Sequence, residues 1–93
     1  MQTVDKALSL LSYFSEQRPS VGLSELARLS GFNKATTRRF LIALEKHGIV
    51  EQDATTRLYR LGAGLLRLAR VREATNPVAA IVQPVLKERV SVT

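Results

Sequence analysis

The stretch "SGFNKATTRRFLIALEKHG", residues 30–48, determines the fold of this chain. It opens on small and polar residues, passes through two adjacent arginines and continues at helical spacing, which predicts a helix over 33–47. Asn33 can accept a hydrogen bond from a free amide at the helix start, and Gly48 is a candidate left-handed cap at its end. The inward face is predicted to consist of Thr37, Phe40, Leu41 and Leu44. The side away from them carries Lys34, Ala35, Arg38 and Arg39, with Thr36 at its flank.

The residues before this stretch predict a first amphipathic helix over 4–17. Thr3 is placed to cap it. Its apolar stripe, which we expect to face the core, consists of Val4, Ala7, Leu8, Leu11 and Phe14. The pattern breaks at "RPSVGL", residues 18–23, where a proline and a glycine interrupt it.

A short second helix is predicted between this break and the turn that precedes 33–47. Ser24 can cap it, it runs through Ser30, and Gly31 ends it. We expect it to bury Leu26, Ala27 and Leu29. Phe32 anchors the turn, so the second and third helices form a helix-turn-helix. Short helix pairs of this kind also occur in helical bundles that have no nucleic-acid partner.

The residues after the third helix predict a small β-hairpin. "IVEQD" (49–53) and "RLYRL" (57–61) are rich in strand-forming residues and flank the short stretch "ATT". A hairpin appended to a helix-turn-helix makes a winged helix. The predicted fold class is therefore mostly α with a small β-hairpin wing, a winged helix-turn-helix.

The composition excludes several functional classes. The chain has 93 residues, no cysteine and one histidine, which argues against thiol nucleophiles, thiolate zinc sites and histidine metal clusters. No glycine-rich phosphate loop or nucleophile–base pair is present, so we expect no enzyme activity, no catalytic residues, no metal and no cofactor. No segment approaches the ~20 apolar residues of a membrane span, and no signal-peptide pattern appears. We expect a soluble, cytoplasmic chain with no membrane partner.

The positive charge lies in the middle of the chain. The net charge is +6, and both 1–33 and 73–93 are neutral, whereas 34–72 contains nine basic and three acidic residues. A polyanion is the natural partner for such a block. A solvated surface, an acidic protein partner or an anionic membrane would also account for this charge.

The order of these pieces resembles the DNA-binding domain of the IclR family of bacterial transcription regulators. "LSELARLSGFNKATTRRFLIALEKHGIVEQDATTRLYRLGAGLLRL" (23–68) carries the resemblance, and "TVDKALSLLSYF" (3–14) is similar to the family's first helix. The resemblance implies that the winged helix binds operator DNA as a dimer. It also implies a linker helix and a C-terminal domain that binds a small-molecule effector.

Departures from the family pattern fall at three places. Thr37 stands where an aliphatic residue is usual, and its hydroxyl can bond back to the carbonyl a turn earlier. Asn33 and Ala35 replace the Pro and Ser that family members often have, and Ala35 lacks a hydroxyl that could bond phosphate. In the wing turn, Ala54 and Arg57 stand where Pro and Gly are usual. We therefore expect a wing tip that is less sharply defined and more mobile.

Helical geometry assigns candidate roles to the basic residues. Arg38 and Arg39 are the predicted base readers in a major groove, because an arginine fork matches guanine O6 and N7. Lys34 is predicted to hold phosphate, and Arg57 to reach a neighbouring phosphate or minor groove. Arg60 either braces the wing or touches phosphate. The predicted DNA-binding residues are Asn33, Lys34, Ala35, Thr36, Arg38, Arg39, Arg57 and Arg60.

The predicted domain organisation has three parts. Residues 1–62 form the winged helix-turn-helix, 63–75 a linker helix, and 76–93 the start of a C-terminal effector-binding domain that is otherwise absent. Pro77 can open a helix with an apolar stripe formed by Val78, Ile81, Val82, Val85 and Leu86. This stripe indicates either a fragment or natural truncation of a longer regulator, or a dimer seam.

The expected partners are double-stranded operator DNA, as an inverted repeat, and a second copy of the chain in a homodimer or higher oligomer. A small-molecule effector would act only through the C-terminal domain. The alternatives are a winged helix for protein interaction and a module that binds nucleic acid without sequence preference, including double-stranded RNA. Residues 63–72 mix leucine and arginine and could also lie on a membrane.

Overall fold

A computed structural model describes residues 2–75 of the chain. Its elements are α1 (Gln2–Ser9), a 3-10 helix (Leu10–Tyr13), β1 (Ser20–Val21), α2 (Leu23–Ser30), α3 (Lys34–Lys46), β2 (Val50–Gln52), β3 (Tyr59–Leu61) and α4 (Gly64–Ala74). Three helical segments pack around one core, the three strands form a small antiparallel sheet beside them, and α4 follows the sheet. The predicted fold class is confirmed.

The first helix differs from its prediction in its start and its buried face. It begins at Gln2, so Thr3 lies inside the helix and does not cap it. After Ser9 the chain tightens into the 3-10 helix, whose turn takes three residues, and Leu10 is fully buried there. Val4 and Leu8 are predicted to face the core, but each is 52% exposed and lies outside it.

The second helix and its turn follow the prediction except at the start. Gly22, and not Ser24, is the N-cap residue of α2. Leu26 and Ala27 are buried, while Leu29 is only half-buried. Gly31 ends the helix in the left-handed conformation with φ 82°, which a glycine adopts without strain.

The sheet contains a strand that the sequence analysis missed. Its order is β1-β3-β2, and β1 lies within the "RPSVGL" stretch that was predicted as a break. Val21 pairs with Tyr59, and both side chains are buried. Two residues between a proline and a glycine are too few to show an alternating pattern, so pairing with β3 alone reveals this strand.

The core contains one buried polar side chain among the described residues, that of Thr37. Its Oγ1 donates a hydrogen bond to the carbonyl oxygen of Asn33 at 2.9 Å, as predicted. The apolar core residues around it come from all three helical segments and from the sheet: Leu10, Phe14, Val21, Leu26, Phe40, Leu41, Leu44, Val50 and Tyr59. The predicted inward face of α3 is confirmed.

A tight junction of glycines joins the end of α3 to the start of α4. Gly48 has φ 75°, as expected for a left-handed cap, and its carbonyl oxygen accepts from the amide of Gly64 at 2.9 Å. The amide of Gly62 donates to the carbonyl oxygen of Ile49 at 2.7 Å. A Cβ on Gly62 would overlap the carbonyl oxygen of Gly48. We call Gly48, Gly62 and Gly64 the glycine junction.

A helix is present in the region predicted as the linker. No residue of α4 is buried, and its large apolar side chains are well exposed: Leu66, Leu68 and Val71. Among residues 2–75, no helix is long and apolar enough to cross a membrane. The helix predicted after Pro77, its stripe and the domain start at 76–93 lie outside the described residues.

Candidate nucleic-acid interface

The start of α3 is fixed by a side-chain cap. Asn33 has an extended backbone, and its Oδ1 accepts a hydrogen bond from the amide of Thr36 at 2.7 Å. The predicted capping role of Asn33 is confirmed. Because α3 begins at once after the turn, the side chains of its first two turns are held on a rigid scaffold.

Removing this cap gives a first testable prediction. Asn33→Ala should lower the free energy of unfolding by about 1 kcal/mol, because an amide in the first turn of α3 loses its partner. Denaturant unfolding followed by circular dichroism measures the change. Asn33→Asp is the matched variant and should retain most of the stability. Equal losses in both variants would contradict the capping role.

The face of α3 that points away from the core carries the predicted contact residues. Lys34, Ala35, Arg38 and Arg39 are exposed, and Thr36 is half-buried. None of the three cationic side chains among them forms an ion pair with any residue in the described range. The structure therefore brings these predicted site residues together on one side of a single helix.

The two arginines of this face border different grooves. Arg38 lines a groove of about 490 Å³ between α2, α3 and the hairpin, where Arg57 also lies. Arg39 lines a cavity of about 430 Å³ between α1 and α3. Lys6, to which the sequence analysis gave no role, lines that same cavity. The sequence did not reveal Lys6 because the chain before residue 34 has no excess charge.

The wing tip is a hydrogen-bonded turn. Oδ1 of Asp53 accepts from the amides of Thr55 and Thr56, both at 2.8 Å, and the amide of Arg57 donates to the carbonyl oxygen of Asp53. The bonds from the amides of Thr56 and Thr55 to the carboxylate are the main cause that holds the pKa of Asp53 below its usual value. The expectation of a less sharply defined wing tip is therefore wrong, while its expected mobility stays a prediction.

Arg57 adopts φ 66°, a left-handed conformation that favours glycine. This backbone explains why the resemblance places a glycine at this position. The side chain of Arg57 is exposed, and no ion pair engages it among residues 2–75. It is therefore available for an anion beside the groove that Arg38 borders.

Arg60 differs from the other predicted contact residues because it is paired. Its guanidinium lies 3.2 Å from Oε1 of Glu51 and 3.8 Å from Oδ2 of Asp53. Of the two predicted roles, the structure shows the brace: Arg60 links the two strands of the hairpin.

Glu51 connects the wing to the start of the last helix. Its Oε2 accepts a hydrogen bond from the amide of Ala63 at 2.9 Å, while Oε1 pairs with Arg60. The bond from Ala63 is the largest cause that lowers the pKa of Glu51 from 4.5, and the charge of Arg60 adds to it. Wing position and the start of α4 thus depend on one carboxylate.

This carboxylate predicts how stability changes in acid. Because the pKa of Glu51 is lowered in the folded state, the unfolded chain binds a proton at this carboxylate at a higher pH than the folded chain does. The ionised Glu51 therefore stabilises the fold above pH 4.5, and this stabilisation is lost as the pH falls through the folded-state pKa. The Tm should fall as the pH is lowered from about 5, and fall less in Glu51→Gln. Glu45→Gln is the control, because no residue in 2–75 bonds to that carboxylate. Equal slopes in both variants would contradict this role of Glu51.

A metal centre finds no support in this region. Residues 2–75 contain no group of three or more His, Asp or Glu side chains that could hold a metal ion.

Comparison with known proteins decides the family. Residues 3–54 match the family described as the IclR helix-turn-helix domain. This chain belongs to the IclR family. The resemblance identified from the sequence is thereby confirmed.

Relatives within the IclR family extend this result. A chain of Silicibacter sp. TM1040, solved as a candidate ICLR transcriptional regulator, is 51% identical to this chain with a TM-score of 0.82. The match covers 92% of this chain and 34% of the Silicibacter chain. The transcriptional repressor IclR of Escherichia coli is 30% identical over 87 residues, 94% of this chain and 32% of its own. The glycerol operon regulatory protein of Streptomyces coelicolor is 37% identical over 68 residues, 73% of this chain and 27% of its own. This chain spans about a third or less of each.

Proposed function

We propose that this chain binds double-stranded operator DNA in a sequence-dependent manner, as the DNA-binding part of a transcription regulator. The observation that carries the proposal is the exposed face of α3, where three unpaired cations stand on a helix whose start is capped by Asn33. A helix of this kind enters a major groove with its N-terminal residues against the base edges.

Each predicted contact residue except Arg39 receives a specific role in this proposal. Arg38, which borders the groove between α3 and the wing, reads a base, because an arginine fork matches guanine in the major groove. Lys34 holds a phosphate at the helix start. Ala35 and Thr36 lie beside Arg38 on the surface that faces the major groove of the DNA. Arg57 contacts a phosphate or the minor groove from the wing tip. Asn33 and Arg60 position these elements through their own hydrogen bonds and ion pairs.

A dimer is the expected form on DNA. Val4 and Leu8 of α1 and the apolar residues of α4 are exposed, which leaves apolar area for contact with a second copy. A twofold dimer would read an inverted repeat whose half-sites lie about 10 bp apart, or a multiple of that. The relatives are named as regulators and repressors, and we expect a small-molecule effector to act through a C-terminal domain. With operator DNA as the partner, we expect the chain to act in the cytoplasm.

Amide chemical shifts of the isotope-labelled chain test this proposal. Addition of a mixed-sequence duplex should shift the amides of residues 33–39 and of the wing tip. Poly-glutamate is the control ligand, because it carries negative charge without base edges or a duplex groove. Shifts confined to α4 would contradict the proposal and favour a basic helix that lies on an anionic surface. An identical pattern with poly-glutamate would favour an acidic protein partner.

A further inference from the structure

The cavity between α1 and α3 is built from polar side chains of both helices. Lys6 and Thr3 come from α1, and Thr36 and Arg39 come from α3. The aromatic rings of Phe32 and Phe40, whose centroids lie 5.7 Å apart in an edge-to-face arrangement, also line it. Both cations are exposed, so an anion can reach them beside this apolar wall.

The charges in this cavity are uncompensated. None of the residues that line it, all of them in the described range, carries a carboxylate. Neither Lys6 nor Arg39 forms an ion pair with another residue of 2–75. Oδ1 of Asn33, which also lines the cavity, is already bonded to the amide of Thr36. The groove that Arg38 borders differs, since Glu25 is among its lining residues.

We propose that this cavity, which we call the α1–α3 cavity, binds a phosphate group through Lys6, Thr36 and Arg39. An ammonium, a guanidinium and a hydroxyl together supply the charge-assisted hydrogen bonds that phosphate oxygens accept. The phosphate group has two possible sources, the DNA backbone and a free phosphate compound. The first source rests on the proposed DNA-binding function.

This proposal changes the role of Arg39. The sequence predicts that both adjacent arginines read bases, but Arg39 borders the α1–α3 cavity and Arg38 borders the groove beside the wing. Arg39 then positions the chain on the DNA backbone, whereas Arg38 reads a base. Lys6 extends the DNA-binding surface onto α1.

The salt dependence of DNA binding tests the DNA source. Affinity for a mixed-sequence duplex is measured over a series of salt concentrations for the wild-type chain, Lys6→Ala and Arg18→Ala. The slope of log affinity against log salt should fall by about 1 in Lys6→Ala, because one phosphate contact is lost. Arg18→Ala is the matched control with the same charge change, since Arg18 lies in the loop before β1 and lines neither groove. Lys6→Arg should keep the wild-type slope.

Titration with inorganic phosphate tests whether the ligand of the α1–α3 cavity is a free phosphate compound. If the slope of Lys6→Ala equals that of the wild type, phosphate is titrated while the amides of Thr36 and Arg39 are followed. Saturable shifts that Lys6→Ala abolishes would assign the cavity to a free phosphate compound. No change in the slope and no saturable shift would overturn the proposal. A wild-type chain that binds no duplex would refute the proposed function instead, and the phosphate titration then decides the cavity alone. Thermal unfolding confirms that the variants are folded.

Discussion

Gly62→Ala is expected to destabilise the fold by about 3 kcal/mol or more, with a fall in Tm of more than about 10 °C. The added Cβ would overlap the carbonyl oxygen of Gly48 and lie 2.9 Å from its carbonyl carbon. Both atoms belong to the backbone, so no side-chain rotation relieves the overlap. The hydrogen bonds from Gly62 to Ile49 and from Gly64 to Gly48 hold the two segments together and oppose their separation.

Gly22→Ala is the matched control for this prediction. A Cβ on Gly22 meets only the flexible end of Leu58, at 3.4 Å, which is ordinary contact. The loss should be about 1 kcal/mol or less, because alanine is only a poorer N-cap residue than glycine. Thermal unfolding followed by circular dichroism measures both variants. Similar Tm values for the two would show that the glycine junction is less tightly packed than described.

Arg38→Ala is expected to abolish discrimination at one base position of the preferred DNA site. A bidentate contact between arginine and guanine contributes about 1–3 kcal/mol of discrimination, which is about 5- to 150-fold in affinity. Lys34→Ala should instead weaken binding to all sequences alike, because a phosphate contact carries no sequence information. Affinities for single-base variants of the preferred duplex measure both effects.

A chemical control separates the base contact from other effects of Arg38→Ala. Replacing the contacted guanine with 7-deazaguanine removes one of the two acceptor atoms in the major groove without changing base pairing. The wild-type chain should lose affinity for this duplex, and Arg38→Ala should not. A uniform loss across all sequences in both Arg38→Ala and Lys34→Ala would contradict the assigned roles.

Local signals in the sequence predicted the elements that position the candidate site. Asn33 accepts from a first-turn amide, and both Gly31 and Gly48 adopt positive φ, because caps depend on residue type and on neighbours three or four positions away. The hydroxyl of Thr37 likewise bonds within its own helix. These predictions required no knowledge of the tertiary packing.

Features that depend on distant residues could not be predicted in this way. The change from α1 to the 3-10 helix buries Leu10, which lies outside the predicted stripe, and leaves the stripe residues Val4 and Leu8 exposed. β1 exists only through its pairing with β3. The bond between Glu51 and Ala63 spans twelve residues. The different surroundings of Arg38 and Arg39 depend on which elements flank α3 on each side.

Selection of tight binders from a random pool of double-stranded DNA, followed by sequencing, tests whether α3 recognises a base sequence. At physiological salt, we expect enrichment of a defined sequence, as an inverted repeat with half-sites about 10 bp apart or a multiple of that. The same selection with Arg38→Ala should lose preference at one position of each half-site. Binding of the pool without enrichment of any sequence would contradict sequence-dependent recognition by α3 and would reduce the basic surface to non-specific attraction for DNA.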